Sequence, residues 1–264
     1  MKKQSEGKCG PANLTKTARA FLLGAALVLC LMTANHAAAQ SGPATVFLGS
    51  AAPFAVLGSS TVTNTGPTVV NGDLGVWAGT AVTGFGPGRV NGTIYAGTPV
   101  AQHGQASLTV AYNDAAGRPP AGGHLVAGNL GGETLAPGLY YSTSSLEISS
   151  GDLTLDAGGN PNAVWIFQMA STLVTTSNRQ VILSGGATSA NIFWQVGSSA
   201  TLGTYSVFHG TIMAHAAISI LTGATLDGRA LAQTAAVTLD TNSVTLPLGN
   251  TMLIQLPPPP RQRD

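Results

Sequence analysis

The residues able to carry chemistry are few and scattered. Beyond a basic and apolar leader, the carboxylates are Asp73, Asp114, Glu133, Glu147, Asp152, Asp156, Asp227 and Asp240, with Asp264 at the end. Polysaccharide-cleaving enzymes built on β-helices need clustered acidic metal ligands, or a basic residue placed to remove a proton. These carboxylates form no such motif, so an enzyme would have to assemble its site from residues far apart in sequence. His103, His124, His209 and His215 lack the i,i+2 or i,i+4 spacing of a metal site. Gly122-Gly123 and Gly185-Gly186 are not followed by Lys-Ser/Thr, which makes them corners rather than phosphate loops. Cys9 and Cys30 both lie in the leader, leaving no thiolate and no disulfide after it. The expectation is a non-enzymatic chain with no catalytic residue, no metal and no cofactor.

From Gln40 onward there is no lysine, and six arginines stand against nine carboxylates, for a net charge of −3. No nucleic-acid or other polyanion partner fits that balance. Thr, Ser, Asn and Gly supply the polarity instead, residue types suited to β-structure and tight turns. Val, Leu, Ile and aromatic residues are abundant enough to build a core.

Elements must hold such a surface in place, and the chain announces them in order. Lys2, Lys3, Lys8, Lys16 and Arg19 precede an apolar run from Ala20 to Met32, and Ala37-Ala38-Ala39 offers a small-residue cleavage site. Residues 1–39 therefore read as a signal peptide, with secretion and no stable membrane insertion after cleavage, because the run is too short to span a bilayer. Residues 40–247 read as one domain, and 248–264 as a proline-rich tail in which Pro257 to Pro260 cannot donate to a ladder.

Ser60-Thr61-Val62-Thr63, Thr68-Val69-Val70, Leu74-Gly75-Val76-Trp77 and Thr80-Ala81-Val82-Thr83 are strands with tight corners. Thr98 then caps, and Pro99 starts, a helix of about five turns ending near Gly117 and Pro119-Pro120. Its stripe Val100, Gly104, Leu108, Ala111, Tyr112 and Ala115 is mostly small, which suits close packing on a flat sheet. Farther on, Trp165-Ile166-Phe167-Gln168, Ile192-Phe193-Trp194-Gln195, Ile212-Met213-Ala214-His215 and Ala230-Leu231-Ala232-Gln233 align as a weak repeat. Thr176, Thr204, Thr222 and Thr241 follow these segments. A period near 18 to 20 residues with three short strands per turn is a β-solenoid signature. The first strand of each coil is apolar on both faces, as expected between the core and the helix. The alignment puts His215 in a ladder with Gln168, Gln195 and Gln233. Asp240 and Arg229 read as a solvated or corner ion pair rather than as catalysts.

Several of these segments carry a resemblance. Ser60-Thr61-Val62-Thr63-Asn64-Thr65-Gly66, Asn71-Gly72-Asp73-Leu74-Gly75-Val76, Ala111 to Pro119, Asn191 to Gly197 and above all Gly228-Arg229-Ala230-Leu231-Ala232-Gln233-Thr234 through Asp240 resemble the secreted ice-binding protein family of cold-adapted microbes. The similarity runs from about Val46 to Pro247. It implies a mainly all-β fold, a right-handed discontinuous β-solenoid of triangular section with one long α-helix packed along one face. It also implies adsorption to the ice crystal surface through another flat face, by a monomer.

Active members often carry Thr-(Ala/Gly)-x-(Thr/Asn) on that face. It occurs here as Thr65-Gly66-Pro67-Thr68, Thr80-Ala81-Val82-Thr83 and Thr222-Gly223-Ala224-Thr225, with departures at Thr204-Tyr205-Ser206-Val207 and Thr241-Asn242-Ser243-Val244. The resemblance thus implies ice contacts at Thr65, Thr68, Thr80, Thr83, Thr204, Ser206, Thr222, Thr225, Thr241 and Ser243. The departures, and Arg179 in Thr176-Ser177-Asn178-Arg179, favour modest adsorption or recrystallisation inhibition over strong freezing-point depression.

Threonine suits such a face. Coils stack about 4.8 Å apart, so one residue per coil becomes a regular row. Its branched Cβ stiffens χ1 and fixes methyl and hydroxyl together, so little entropy is lost on adsorption. Threonine is also common on exposed β-surfaces in general. The other reading is therefore an extracellular adhesive or matrix module with the same fold and no ice activity.

Overall fold

The computed structural model describes residues 42–247; the leader and the proline-rich tail lie outside the described residues. Short strands alternate with one-to-several-residue corners, and every strand pairing is parallel, the arrangement of a chain that coils. One coil shows the plan. Trp165–Met169 runs along the first side, Leu173–Thr175 along the second and Val181–Ser184 along the third. Residue alternation then sorts each strand into an inward and an outward set.

The first side lies under helix α1, Pro99–Gly117, whose N-cap Thr98 accepts from the Ala101 amide and whose first residue is Pro99, as the sequence predicts. Strands here are buried on both faces. Trp165 and Phe167 point to the interior cluster, while Ile166, Phe193, Met213, Leu231 and Leu57 form a second cluster with Leu108, Ala111 and Ala115 of α1. Inside, Tyr140, Phe167, Trp194 and Phe208 stack layer on layer, with ring centroids 5.3, 3.9 and 5.0 Å apart.

Buried glutamines fasten the helix. Gln168 donates to the carbonyls of Ala115 at 2.6 Å and Arg118 at 3.0 Å, satisfying acceptors that the helix end leaves open. Gln195 donates to the Tyr112 hydroxyl at 2.8 Å, and Gln105 on the helix donates to Ala232 O at 3.0 Å.

The four-membered ladder expected through His215 does not form. Gln168 is in register with Gln195, but Gln195 is in register with Met213. His215 falls two residues later, is exposed, and meets Gln233 at 3.3 Å. The reason is the strand Val207–Ala214, which passes through the corner at Gly210 without a loop and shifts the count.

The stacking order is discontinuous. On the second side the strands follow Leu146–Ile148, Leu173–Thr175, Ala200–Leu202, Ile218–Ile220, Val237–Asp240, Thr61–Thr65 and Ala81–Thr83. The last coil therefore stacks on the first, with Val237 beside Val62. The same junction occurs on the other sides, at Leu231 with Leu57 and at Val244 with Val70.

Candidate ice-contact face

Of the three sides, the second is almost uncharged along its outward column. Its inward residues Leu146, Leu173, Ala200, Ile218, Val237 and Val62 are buried core. Between each inward pair stands one outward residue, and the registers align these as Glu147, Val174, Thr201, Ser219, Thr238, Thr63 and Thr83. Five consecutive layers, from Thr201 to Thr83, thus present a hydroxyl at the layer spacing of about 4.8 Å. A second row lies one position before each strand's first inward residue, with Thr172, Ser199, Ala217, Ala236, Thr61 and Ala81. Within the rows, Thr238 donates to Ser219 Oγ at 3.1 Å, and the hydroxyls of Ser145 and Thr172 are 2.8 Å apart.

The third side differs in charge. One of its outward columns runs His209, Asp227, Thr245, Asn71, and its other column ends at Arg89. His209 Nδ1 lies 3.3 Å from Asp227 Oδ2, which also accepts from Ser189 Oγ at 2.7 Å. Burial pushes the Asp227 carboxyl up, but the hydrogen bonds from His209 and Ser189 and the positive charges of His209 and Arg229 pull it net below its ordinary value. Burial brings the Arg229 guanidinium down to about 10, against the opposing pull of Asp227. Arg229 donates to Ala52 O at 2.9 Å and Thr211 Oγ1 at 3.3 Å, and so binds the N-terminal segment to a later coil. It does not pair with Asp240, because the two occupy different corners. Asp240 accepts instead from the hydroxyls of Thr222 and Thr241.

The ten threonines and serines chosen from sequence do not share one plane. Thr83 stands in the central row, whereas Thr80 lies in the corner before that strand, its methyl against Gly97. Thr65 lies at its border, in register with Asp240. Thr204, Thr222 and Thr241 sit on the corner between the second and third sides, and Thr225 and Ser243 are in register on the third side. Thr68 and Ser206 are fully buried, which removes them from any contact surface. Thr68 accepts from the Asn242 amide at 3.0 Å, and Ser206 Oγ has no hydrogen-bond partner among the described residues. Both lie just past the left-handed corner residues Gly66 and Tyr205, where the chain turns inward before the next strand.

Arg179 does not roughen the flat side either, being turned to Asp152 at 3.5 Å. The sequence motifs did not single out Thr63, Thr201, Ser219 and Thr238, which strand register brings into one row. Their signal is the triplet apolar–Thr/Ser–apolar, as in Ala200-Thr201-Leu202, Ile218-Ser219-Ile220 and Val237-Thr238-Leu239.

The family described as Ice-binding-like matches residues 56–245, most of the described coil. The chain belongs to that family. Among Ice-binding-like relatives, a protein of Nostoc sp. named an ice-binding protein is 46% identical over 221 residues, covering 83% of this chain and 81% of the relative. One from Colwellia sp., also named an ice-binding protein, is 38% identical and covers 78% of this chain and 86% of its own length. The solved structure of an ice-binding protein from an Antarctic biological consortium is 52% identical, with a TM-score of 0.77, covering 78% of this chain and 93% of that one.

No groups of three or more His, Cys, Asp or Glu residues able to hold a metal occur among the described residues. In the same residues no helix is long and apolar enough to cross a membrane.

Proposed function

We propose that this protein is secreted and adsorbs to ice, without catalysis, through the flat second side. The observation that carries this reading is the central row Thr201, Ser219, Thr238, Thr63, Thr83, held in strict register by strand pairing and free of charge along its length. Ammonium and carboxylate groups organise water in shells unlike a lattice, and in this outward column the one such group is Glu147, two layers beyond Thr201. Each hydroxyl contact contributes about 1 kcal/mol or less after exchange with water, so many must act together. A preformed row supplies them without an ordering cost at adsorption. The names of the Nostoc and Colwellia relatives agree with this ligand.

The test is growth of a single ice crystal in a cooled nanolitre droplet containing residues 40–264. Faceted crystals with a gap between melting and growth are expected, and Thr201→Tyr or Thr63→Tyr should abolish the gap while leaving the circular dichroism spectrum unchanged. Round, freely growing crystals from a folded sample would sink the reading and put the adhesive-module alternative in its place.

A further inference from the structure

The corner between the threonine side and the third side has an unusual backbone. Asn178, Tyr205, Gly223, Thr241 and Gly66 take left-handed φ values of 62, 57, 71, 57 and 73°. They occupy one column: Asn178 N donates to Thr204 O, Tyr205 N to Thr222 O, Gly223 N to Asp240 O and Thr241 N to Thr65 O, each in the adjoining layer. A β-branched residue in this region is a genuine outlier. Glycine adopts it freely and serves in two of the five layers, so the fold alone does not call for threonine at position 241.

The column is also packed in alternation. The space a side chain would take on Gly223 is occupied by the Tyr205 ring, and that on Gly66 by the Thr241 hydroxyl. Tyr205 and Thr241 thus lie over glycines of the next layer. Asp240 sits beside them on the border of the threonine side, in register with Thr65. Its Oδ2 accepts from Thr222 and its Oδ1 from Thr241 at 3.1 Å, while its amide donates to Asn242 Oδ1 at 2.6 Å. Asn242 is itself buried and clamped by donations to Leu221 O at 2.8 Å and Ala224 O at 3.0 Å. The carboxylate is therefore anchored from below and covered by two threonine hydroxyls.

Resting on the ice-adsorption reading above, we infer that Asp240 is a positioning residue that fixes the side chains of Thr222 and Thr241, making them and Thr65 a border row of the adsorbing surface that continues round the corner. Fixing the hydroxyl of a threonine fixes its methyl as well, because both hang on the same Cβ. The strain at Thr241 is held by the Asp240 contact and the bond to Thr65, as expected where a surface over-determines a costly conformation.

Thr241→Gly relieves the backbone while deleting the hydroxyl, so fold and surface respond in opposite directions. In the nanolitre assay, Thr241→Gly is expected to hold or raise the thermal unfolding midpoint while narrowing the hysteresis gap and changing the crystal facets. Asp240→Ala should narrow the gap as well, and Asp240→Asn, which keeps one acceptor oxygen for the two hydroxyls, should narrow it less. Wild-type hysteresis and facets in a folded Asp240→Ala or, where that variant does not fold, in Asp240→Asn would overturn the positioning role. Wild-type hysteresis and facets in a folded Thr241→Gly, alongside loss of activity in Thr201→Tyr, would overturn the border row and leave the central row standing. Absence of hysteresis in the wild-type protein would instead remove the adsorption reading on which both depend.

Discussion

Leu57, near the start of the coil, lies in parallel register with Leu231, near its end, and both are fully buried beneath helix α1. That pairing closes the solenoid where the chain itself is not continuous, so no local loop holds the two coils together. Burial and the backbone ladder must do so. Leu231→Ala removes the apolar contact at the junction and should cost about 2–5 kcal/mol. For a domain of this size that is a fall of about 4–20 °C in the unfolding midpoint, measured by circular dichroism. A loss under one degree would mean that the ladder, not the side chains, joins the two halves.

Thr68 and Ser206 separate two meanings of a buried hydroxyl. Thr68 satisfies the Asn242 amide, so Thr68→Val leaves a buried donor without a partner and should destabilise by about 1–3 kcal/mol. Ser206 Oγ has no partner among the described residues, and Ser206→Ala should be neutral or stabilising. Because neither side chain reaches the surface, crystal shape and hysteresis should match wild type in both variants wherever they are folded. A changed crystal habit in either would mean that the corner surface differs from the one described.

The sequence carried local structure well because local structure has local causes. Thr98 and Pro99 mark the helix start through capping, and the doubly apolar Trp165–Met169 marks a strand between core and helix. Stacking order was legible only through the family resemblance. Nothing in Val62 or Val237 alone says that they adjoin, since any apolar strand could fill either place. The motifs did not mark the flat row because most of them span the corner between the second and third sides, so their first and last members flank that corner rather than share a strand. A row instead needs one residue at the same strand position in each coil. Thr65 and Thr68 show the outcome, one exposed and one buried.

Gln168 tests how the helix is held. Its amide reaches the carbonyls of Ala115 and Arg118, and Gln168→Leu keeps the volume while orphaning those acceptors. The expected cost is about 1–3 kcal/mol, concentrated in the last turn of α1. Amide hydrogen exchange should show faster exchange from Ala111 to Gly117 and little change near Thr98. Uniform acceleration along the helix would indicate that Gln168 supports the sheet rather than the helix end.

Acid stability should depend on Asp227. Burial opposes its ionisation, yet the bonds from His209 and Ser189 and the charges of His209 and Arg229 outweigh it and leave the carboxyl below its ordinary 3.8. A carboxyl depressed in the folded state binds protons less readily there than in the unfolded chain. Its contribution is therefore complete above the ordinary value and is lost as pH falls through the folded value. Asp227→Asn lacks that contribution at every pH. Thermal midpoints should place the wild type above Asp227→Asn at about pH 6, with the difference shrinking as the pH is lowered to about 3. Ser189→Ala should lie between the two, because it removes one of the bonds that hold the carboxylate ionised. A difference independent of pH would show that Asp227 acts through shape and hydrogen bonding alone.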